Sequence, residues 1–237
     1  MNLRQTRGGS GRAHRGLPEE VATETSIFTR AGVTRIMRFA FELARSRPRK
    51  LLTVVTKSNA QRHGMVLWDE IAAEVADAFP GVTWDKMLVD AMTVRMTLDP
   101  GSLDTIVATN LHADILSDLA VALAGSIGVG STANLNPEGR FPSMFEPIHG
   151  SAFDIAGQGI ANPIGAFWTA SMMLEHLGEK ATADRLMTAV ERVTLDPNLH
   201  SPNLGGTAKT EEVTKAVIDA VIDLSQQPLV NKLASAT

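Results

Sequence analysis

The feature that most restricts the fold is a short apolar run that lies between two helical patterns. Residues 51–55 (LLTVV) are bounded by polar side chains, which is typical of a strand buried on both faces in a parallel sheet. Apolar side chains recur with helical spacing before this run, over residues 33–44, and after it, over residues 68–79. Short apolar runs at 87–89 and 106–108 repeat the alternation. Buried strands that alternate with helices predict an α/β fold.

The composition changes after Leu123 and predicts a second domain. Glycines lead there into a polar stretch, residues 131–142, which we interpret as a hinge. The elements predicted beyond it are a strand at 144–146, a glycine-rich loop at 149–159, a helix that Asn162 and Pro163 begin, and helices at 182–193 and 211–224, with Thr210 as the cap of the last. The expected domains are residues 25–123 and 124–237, preceded by a disordered or remnant tail at 1–24.

The charge balance argues against a polyanionic partner. The 22 Lys and Arg residues face 26 Asp and Glu residues, a formal net charge of -4, so we expect neither nucleic acid nor a membrane surface as a partner. The sequence contains no cysteine, which fits a reducing compartment, and we expect a cytoplasmic protein. The arginine- and glycine-rich residues 1–18 fit a disordered tail, a transit peptide or an anion-binding arm.

An acidic pair follows the predicted strand at 106–108. Asp114 and Asp118 are four residues apart, so on a helix both carboxylates project from the same face. Hard oxygen ligands without cysteine favour Mg²⁺ or Mn²⁺ over zinc. The alternative is that Asp114 stabilises the first helical turn and that Asp118 is simply solvated.

Other polar residues follow the neighbouring strands. Lys57 and Asn59 come directly after the run at 51–55, and Asp90 ends the run at 87–89. Ligands of open α/β sheets bind beyond the carboxyl ends of the strands, and a partly desolvated lysine can act as a base. Asp90 fits either a third metal ligand or a helix cap. An ordinary solvated lysine is the alternative for Lys57.

Residues 145–155 (FEPIHGSAFDI) form a loop in which small side chains would let backbone amides approach phosphates. An acid shortly after such a loop, here Asp154, can accept both hydroxyls of an adenosine ribose and would repel a 2′-phosphate, which favours NAD over NADP. Neither of the common nucleotide-binding fingerprints is present in the sequence. Without a cofactor, His149 would be an ordinary capped loop histidine.

Taken together, these segments resemble the metal-dependent β-decarboxylating dehydrogenases, which include isocitrate, isopropylmalate and tartrate/D-malate dehydrogenases. The resemblance runs from about Thr25 to about Val221, and residues 141–155 are most similar to the tartrate and D-malate members. Phe153 stands where the family more often has proline. The motifs that carry the resemblance are TKSN at 56–59, VD at 89–90, TNLHADILSD at 109–118, the stretch 131–163 and NLGGTAKT at 203–210.

The resemblance implies a role for individual residues. Asp114 and Asp118 match the metal-binding aspartates, and Asp90 matches the aspartate that the other subunit of a homodimer contributes. Lys57 matches the lysine that crosses the same interface and acts on the substrate hydroxyl, so Lys57 and Asp90 are the expected catalytic residues. The expected NAD-binding residues are Asn59, Glu146, His149, Gly150, Ser151, Ala152, Asp154, Ile155 and Asn162.

The resemblance implies an isocitrate/isopropylmalate dehydrogenase-like two-domain fold and an NAD-dependent oxidoreductase. With Mg²⁺ or Mn²⁺ it would oxidise a 2-hydroxy dicarboxylate such as tartrate or D-malate, with or without decarboxylation; 3-isopropylmalate is the alternative substrate. The family's first nucleotide-binding strand, substrate arginines and catalytic tyrosine have no counterpart in this sequence, so we expect an incomplete nucleotide domain. The alternative of another class is an inactive remnant that binds metal or nucleotide, or a structural partner of a full-length paralogue.

Overall fold

The structure, a computed structural model, describes residues 11–226. It divides into two compact units between Leu119 and Ala120, each of which we describe by itself. No helix within the described range is long and apolar enough to cross a membrane. The elements are, in chain order, β1 Gly11–Ala13, β2 Val21–Thr23, α1 Arg30–Ser46, β3 Leu51–Thr56, α2 Gly64–Ala76, β4 Thr83–Leu88, α3 Val89–Leu98, β5 Thr105–Val107, α4 Asn110–Leu123, β6 Ser131–Asn134, β7 Met144–Pro147, α5 Ile164–His176, α6 Lys180–Thr194 and α7 Thr210–Gln226.

The first unit is built on a parallel sheet with the strand order β4-β3-β5. Successive side chains of a strand face opposite sides, and the central strand β3 is buried on both. Leu52 and Val54 pack in one cluster with α1 and α2, whereas Val55 packs in another with side chains of α3 and α4. The α/β prediction for this part of the chain is therefore confirmed.

The helical pattern at 33–44 is the buried face of α1. Val33, Met37 and Phe41 are almost fully buried, and Phe41 stacks on Phe79 with 5.4 Å between ring centroids. Burial of such a side chain contributes about 1.5–3 kcal/mol relative to exposure. The Thr29 hydroxyl caps the helix by accepting a hydrogen bond from the backbone N–H of Gly32.

Two features of the first unit differ from the sequence expectations. β4 ends at Leu88, so Asp90 lies in the first turn of α3 rather than at the end of a strand; a carboxylate is favoured there by the helix dipole. Residues 11–13 and 21–23 belong to the stretch predicted as a disordered or remnant tail, but they pair as an antiparallel hairpin with Gly11 opposite Thr23. Residues 1–10 lie outside the described part of the chain.

The second unit contains a small antiparallel sheet and three helices. β6 pairs with β7, so residues 131–134, which we predicted as part of a hinge, form a strand whose backbone is satisfied by residues 144–147. The main core lies between α5, α6 and α7. Thr210 does not cap α7 as expected: its hydroxyl donates to the Ala161 carbonyl at 2.6 Å, while Glu212 accepts from the backbone N–H of Lys209 at 2.7 Å.

Candidate active site

The three parallel strands of the first unit end at one edge of the sheet, and the predicted catalytic and metal-binding residues follow them. Lys57 comes after β3, Asp90 comes two residues after β4, and α4 begins three residues after β5. β3 lies between the other two strands, so its carboxyl end faces both neighbouring loops. This is the edge at which open α/β sheets bind ligands.

Lys57 and Asp90 form an ion pair within one chain. The Lys57 Nζ donates a hydrogen bond to Asp90 Oδ1 at 2.5 Å, and the two side chains are 28% and 64% exposed, respectively. The hydrogen bond from Lys57 is the main cause that lowers the pKa of Asp90 below its ordinary value. Asp90 is therefore held as a carboxylate, and it gives the ammonium group of Lys57 a defined anionic partner.

His112 is a residue of this edge that the sequence analysis missed. It lies in the first turn of α4 and is 8% exposed, and its Nδ1 has no hydrogen-bond partner within residues 11–226. Burial lowers the pKa of His112, and the positive charge of Lys57 lowers it further. His112 lies within the motif at 109–118, but only the two aspartates of this motif have a spacing that indicates a site.

Asp114 and Asp118 lie on α4 with exposed side chains. Their spacing puts both carboxylates on one face, as predicted. Within residues 11–226, however, no group of three or more His, Asp or Glu side chains lies close enough to hold a metal ion. Two hard carboxylates fit Mg²⁺ or Mn²⁺, which commonly keeps several waters, but a site that also includes Asp90 is not assembled from one chain.

Asn59 follows Lys57 in the turn after β3. Its side chain is exposed, and the turn is closed by a hydrogen bond from the backbone N–H of Ala60 to the Lys57 carbonyl at 2.9 Å. The position of Asn59 at the ligand-binding edge agrees with the sequence expectation. Its role toward a nicotinamide stays a prediction.

The glycine-rich loop of the second unit presents its side chains to solvent. His149 Nδ1 lies 3.0 Å from the Gly150 carbonyl, and Ser151, Ala152 and Asp154 are exposed. No Cβ contact would arise within 4 Å at Gly150, so the backbone there is open to a ligand. This openness fits a loop whose amides approach phosphates.

The remaining cofactor-side residues have different surroundings. Glu146 is exposed on β7, and Ile155 is half-buried in the loop. Asn162 is 8% exposed, and its Oδ1 accepts a hydrogen bond from the backbone N–H of Ile164 at 2.9 Å. α5 begins at Ile164, with Pro163 at the cap position and no side-chain cap hydrogen bond. The helix thus begins one residue later than the Asn-Pro pattern predicted, and Asn162 binds the first helical N–H from the residue before the cap.

The family model for isocitrate/isopropylmalate dehydrogenase matches residues 5–221. The chain belongs to this family. The match begins well before Thr25, where the motifs placed the start of the resemblance, so the β1–β2 hairpin lies within the matched part.

Individual relatives agree with this assignment. The chain is 76% identical over 214 residues to a probable tartrate dehydrogenase/decarboxylase of Agrobacterium vitis, and this match covers 90% of the chain and 60% of the relative. It is 44% identical over 217 residues to the decarboxylating D-malate dehydrogenase of Escherichia coli, covering 90% of the chain and 60% of that enzyme.

The structure also resembles that of isocitrate dehydrogenase from Methylococcus capsulatus, with a TM-score of 0.81 and 38% identity over 85% of this chain and 59% of the other. The α/β architecture is thus shared with part of an isocitrate dehydrogenase-like structure. The chain spans about 60% of the length of the curated relatives it matches.

Proposed function

We propose that this chain carries the NAD- and divalent-metal-dependent oxidation of a 2-hydroxy dicarboxylate such as tartrate or D-malate. The observation that carries the proposal is the Lys57–Asp90 pair, with 2.5 Å between Nζ and Oδ1, at the carboxyl edge of the parallel sheet. The likeness to a probable tartrate dehydrogenase/decarboxylase and to a D-malate dehydrogenase supports this substrate class. A reducing, cytoplasmic compartment belongs to the same proposal.

Lys57 is the proposed base for the substrate hydroxyl. In its neutral form it takes the proton from the 2-hydroxyl while the hydride on the same carbon passes to NAD, which leaves a 2-oxo acid. The Asp90 carboxylate accepts the hydrogen bond from Nζ of Lys57. Asp90 therefore fixes the direction of the lysine side chain.

Asp114 and Asp118 are the proposed metal ligands, together with Asp90 from a second copy of the chain. When bound, Mg²⁺ or Mn²⁺ would acidify the 2-hydroxyl and stabilise negative charge if the 3-carboxylate leaves as carbon dioxide. The two α4 carboxylates cost the helix little, since a like-charge pair at this spacing destabilises it by a few tenths of a kcal/mol, about 0.2–0.5.

The same surfaces support the proposal of a homodimer with shared sites. Leu111 and Ile115 are 64% and 54% exposed on α4, and their spacing places them beside the two aspartates on the helix surface. A second copy that covers these apolar side chains is the proposed source of the Lys57–Asp90 pair that acts with the Asp114 and Asp118 carboxylates. The third acidic ligand, which residues 11–226 of one chain do not bring to this pair, would then come from its partner.

The loop at 149–155 is the proposed adenosine side of the NAD site. The exposed Asp154 carboxylate is available to accept hydrogen bonds from the ribose hydroxyls, and its charge disfavours a 2′-phosphate. NAD is therefore the proposed cofactor rather than NADP.

The test is NADH formation by the purified chain with D-malate, tartrate and 3-isopropylmalate in separate reactions with Mn²⁺. Turnover of D-malate or tartrate supports the proposal, and preferential turnover of 3-isopropylmalate would show the alternative dehydrogenase. Binding of Mn²⁺ and NADH without turnover of any of the three acids would instead indicate a non-catalytic binding protein. The Lys57→Met variant is the matched control, because it removes the base and leaves the α4 aspartates intact.

Intersubunit complementation tests the shared site directly. A chain with Lys57→Met and a chain with Asp118→Asn should each be inactive, whereas co-refolded mixtures should regain about a quarter of the wild-type activity, since half of the dimers are mixed and each has one intact site. Mixtures that remain inactive while both variants form dimers would show that each site is built from one chain.

A further inference from the structure

The loop at 149–155 carries an aromatic ring that no packing within residues 11–226 explains. Phe153 is 88% exposed, more than any other large apolar side chain within residues 11–226. Exposure of a phenyl ring to water is unfavourable, because the free energy falls when apolar surface leaves water. A surface built to bind an apolar or aromatic group is one reason for a protein to keep such a ring.

The backbone of the loop fixes the position from which this ring leaves the main chain. Ala152 has the left-handed backbone torsion φ = 41°, and the backbone N–H of Ile155 donates to the Ala152 carbonyl at 3.1 Å. Phe153 and Asp154 are consequently the two corner residues of one β-turn. The Gln158 side-chain amide donates a hydrogen bond to the backbone carbonyl of Asp154 at 2.8 Å, which stabilises the turn.

We propose that Phe153 stacks on the adenine ring of a bound dinucleotide while the neighbouring Asp154 accepts the ribose hydroxyls. The inference rests on the proposed NAD site and adds to it the group that recognises the base. In adenosine the base is attached to the ribose carbon next to the one that bears the 2′-hydroxyl. The turn presents a carboxylate and an aromatic ring at adjacent corners. The carboxylate can therefore meet the ribose while the ring meets the base attached to it.

This recognition has a chemical signature. Phe153 has no hydrogen-bonding group, so it reads the face of the base and not its edge, and stacking of this kind tolerates exchange of one purine for another. Asp154 supplies the polar contact to the ribose. The contribution of Phe153 should therefore be the same for ADP-ribose and its hypoxanthine analogue, so Phe153→Ala should weaken the binding of both by a similar factor.

The test is calorimetric titration of the full chain with ADP-ribose. Phe153→Ala should raise the Kd about 5- to 150-fold, the range that loss of a base–aromatic stack produces, and Phe153→Trp should stay near wild type. Phe141→Ala is the matched control, because Phe141 is 71% exposed in the same unit but lies outside this loop. Phe153 is exposed, so its replacement should leave the fold intact, which the thermal unfolding curve checks.

NMR of the bound ligand distinguishes stacking from a purely structural role of Phe153, because only a stacked ring changes the chemical shifts of the adenine protons. In the wild-type complex the adenine ring protons should shift upfield from the ring current of Phe153, and the shift should disappear with Phe153→Ala. If the wild-type chain binds ADP-ribose and Phe153→Ala binds it equally well, the stacking inference is wrong while the NAD site stands. The stacking inference is equally wrong if Phe153→Ala alters only the oligomeric state in sedimentation. If the wild-type chain does not bind ADP-ribose, the proposed NAD site itself is refuted and the inference with it.

Discussion

Replacement of Gly206 by alanine should destabilise the second unit, because a Cβ at this position would enter the backbone of a neighbouring turn. The added atom would lie 2.0 Å from the His200 carbonyl oxygen and 2.6 Å from the carbonyl carbon. The same oxygen accepts a hydrogen bond from the backbone N–H of Ala208 at 3.0 Å. Ala208 is buried in the core between α6 and α7, so the methyl group fits only if this connection opens.

The size of the effect follows from two contributions. Loss of the hydrogen bond between His200 and Ala208 costs about 0.5–1.5 kcal/mol net. Backbone strain at the turn adds about 1–3 kcal/mol. We expect Gly206→Ala to lower the free energy of unfolding by about 2–4 kcal/mol, at the high end for a single substitution.

Hydrogen exchange measured by mass spectrometry can assign this loss to the second unit. Peptides that contain Val190 and Val213, both buried in its core, should exchange faster in Gly206→Ala, whereas a peptide from β3 should not change. The neighbouring Gly205 is the control: it has φ = 80° and no atom within 4 Å of an added Cβ. Gly205→Ala should therefore cost only the left-handed backbone penalty, about 1–2 kcal/mol. A smaller loss for Gly206→Ala than for Gly205→Ala would refute this reasoning.

Three further outcomes are expected. The hydrogen bond from Lys57 depresses the pKa of Asp90. The stabilisation from this pair is therefore present above the ordinary carboxyl pKa and is lost as pH falls through the lowered value. Lys57→Met should raise the pKa of Asp90, which NMR of its carboxyl carbon measures. Asn162→Ala should lower stability to urea by about 1 kcal/mol through loss of the hydrogen bond that Asn162 Oδ1 accepts from the Ile164 N–H, and Asn162→Asp should largely retain it. Arg47→Met should cost about 1–3 kcal/mol in urea unfolding, because Arg47 Nε bonds Asp104 at 2.6 Å and the carboxylate is only 6% exposed; Arg47→Lys should cost less.

The repeating elements could be predicted from the sequence because burial leaves a periodic pattern. The stripe at 33–44 became the buried face of α1, and the run at 51–55 became a central strand. β6 could not be predicted in the same way. Three of the four residues 131–134 are polar, and none of the four is fully buried. They form a strand because residues 144–147 pair with them, which no local pattern indicates.

The residue types of the candidate site could also be predicted, but their contacts could not. Lys57 and Asp90 were expected at one edge of the sheet because parallel strands end together. Their 2.5 Å hydrogen bond depends on the start of α3 at Val89, which shifts Asp90 from a strand end to a helix turn. His112 escaped notice because one buried histidine in a helix has no periodic signature.

The difference between core and site has a physical cause. Residues of the core make their contacts within the chain, so their spacing follows the geometry of helices and strands. Several of the side chains proposed for function are instead exposed: Asp90 is 64% exposed, and Leu111 and Phe153 are 64% and 88% exposed. Their proposed partners are a metal ion, a second copy of the chain and a dinucleotide, none of which imposes a period on the sequence. Recognition of such residues therefore depends on their chemical type at the end of a strand or the corner of a turn.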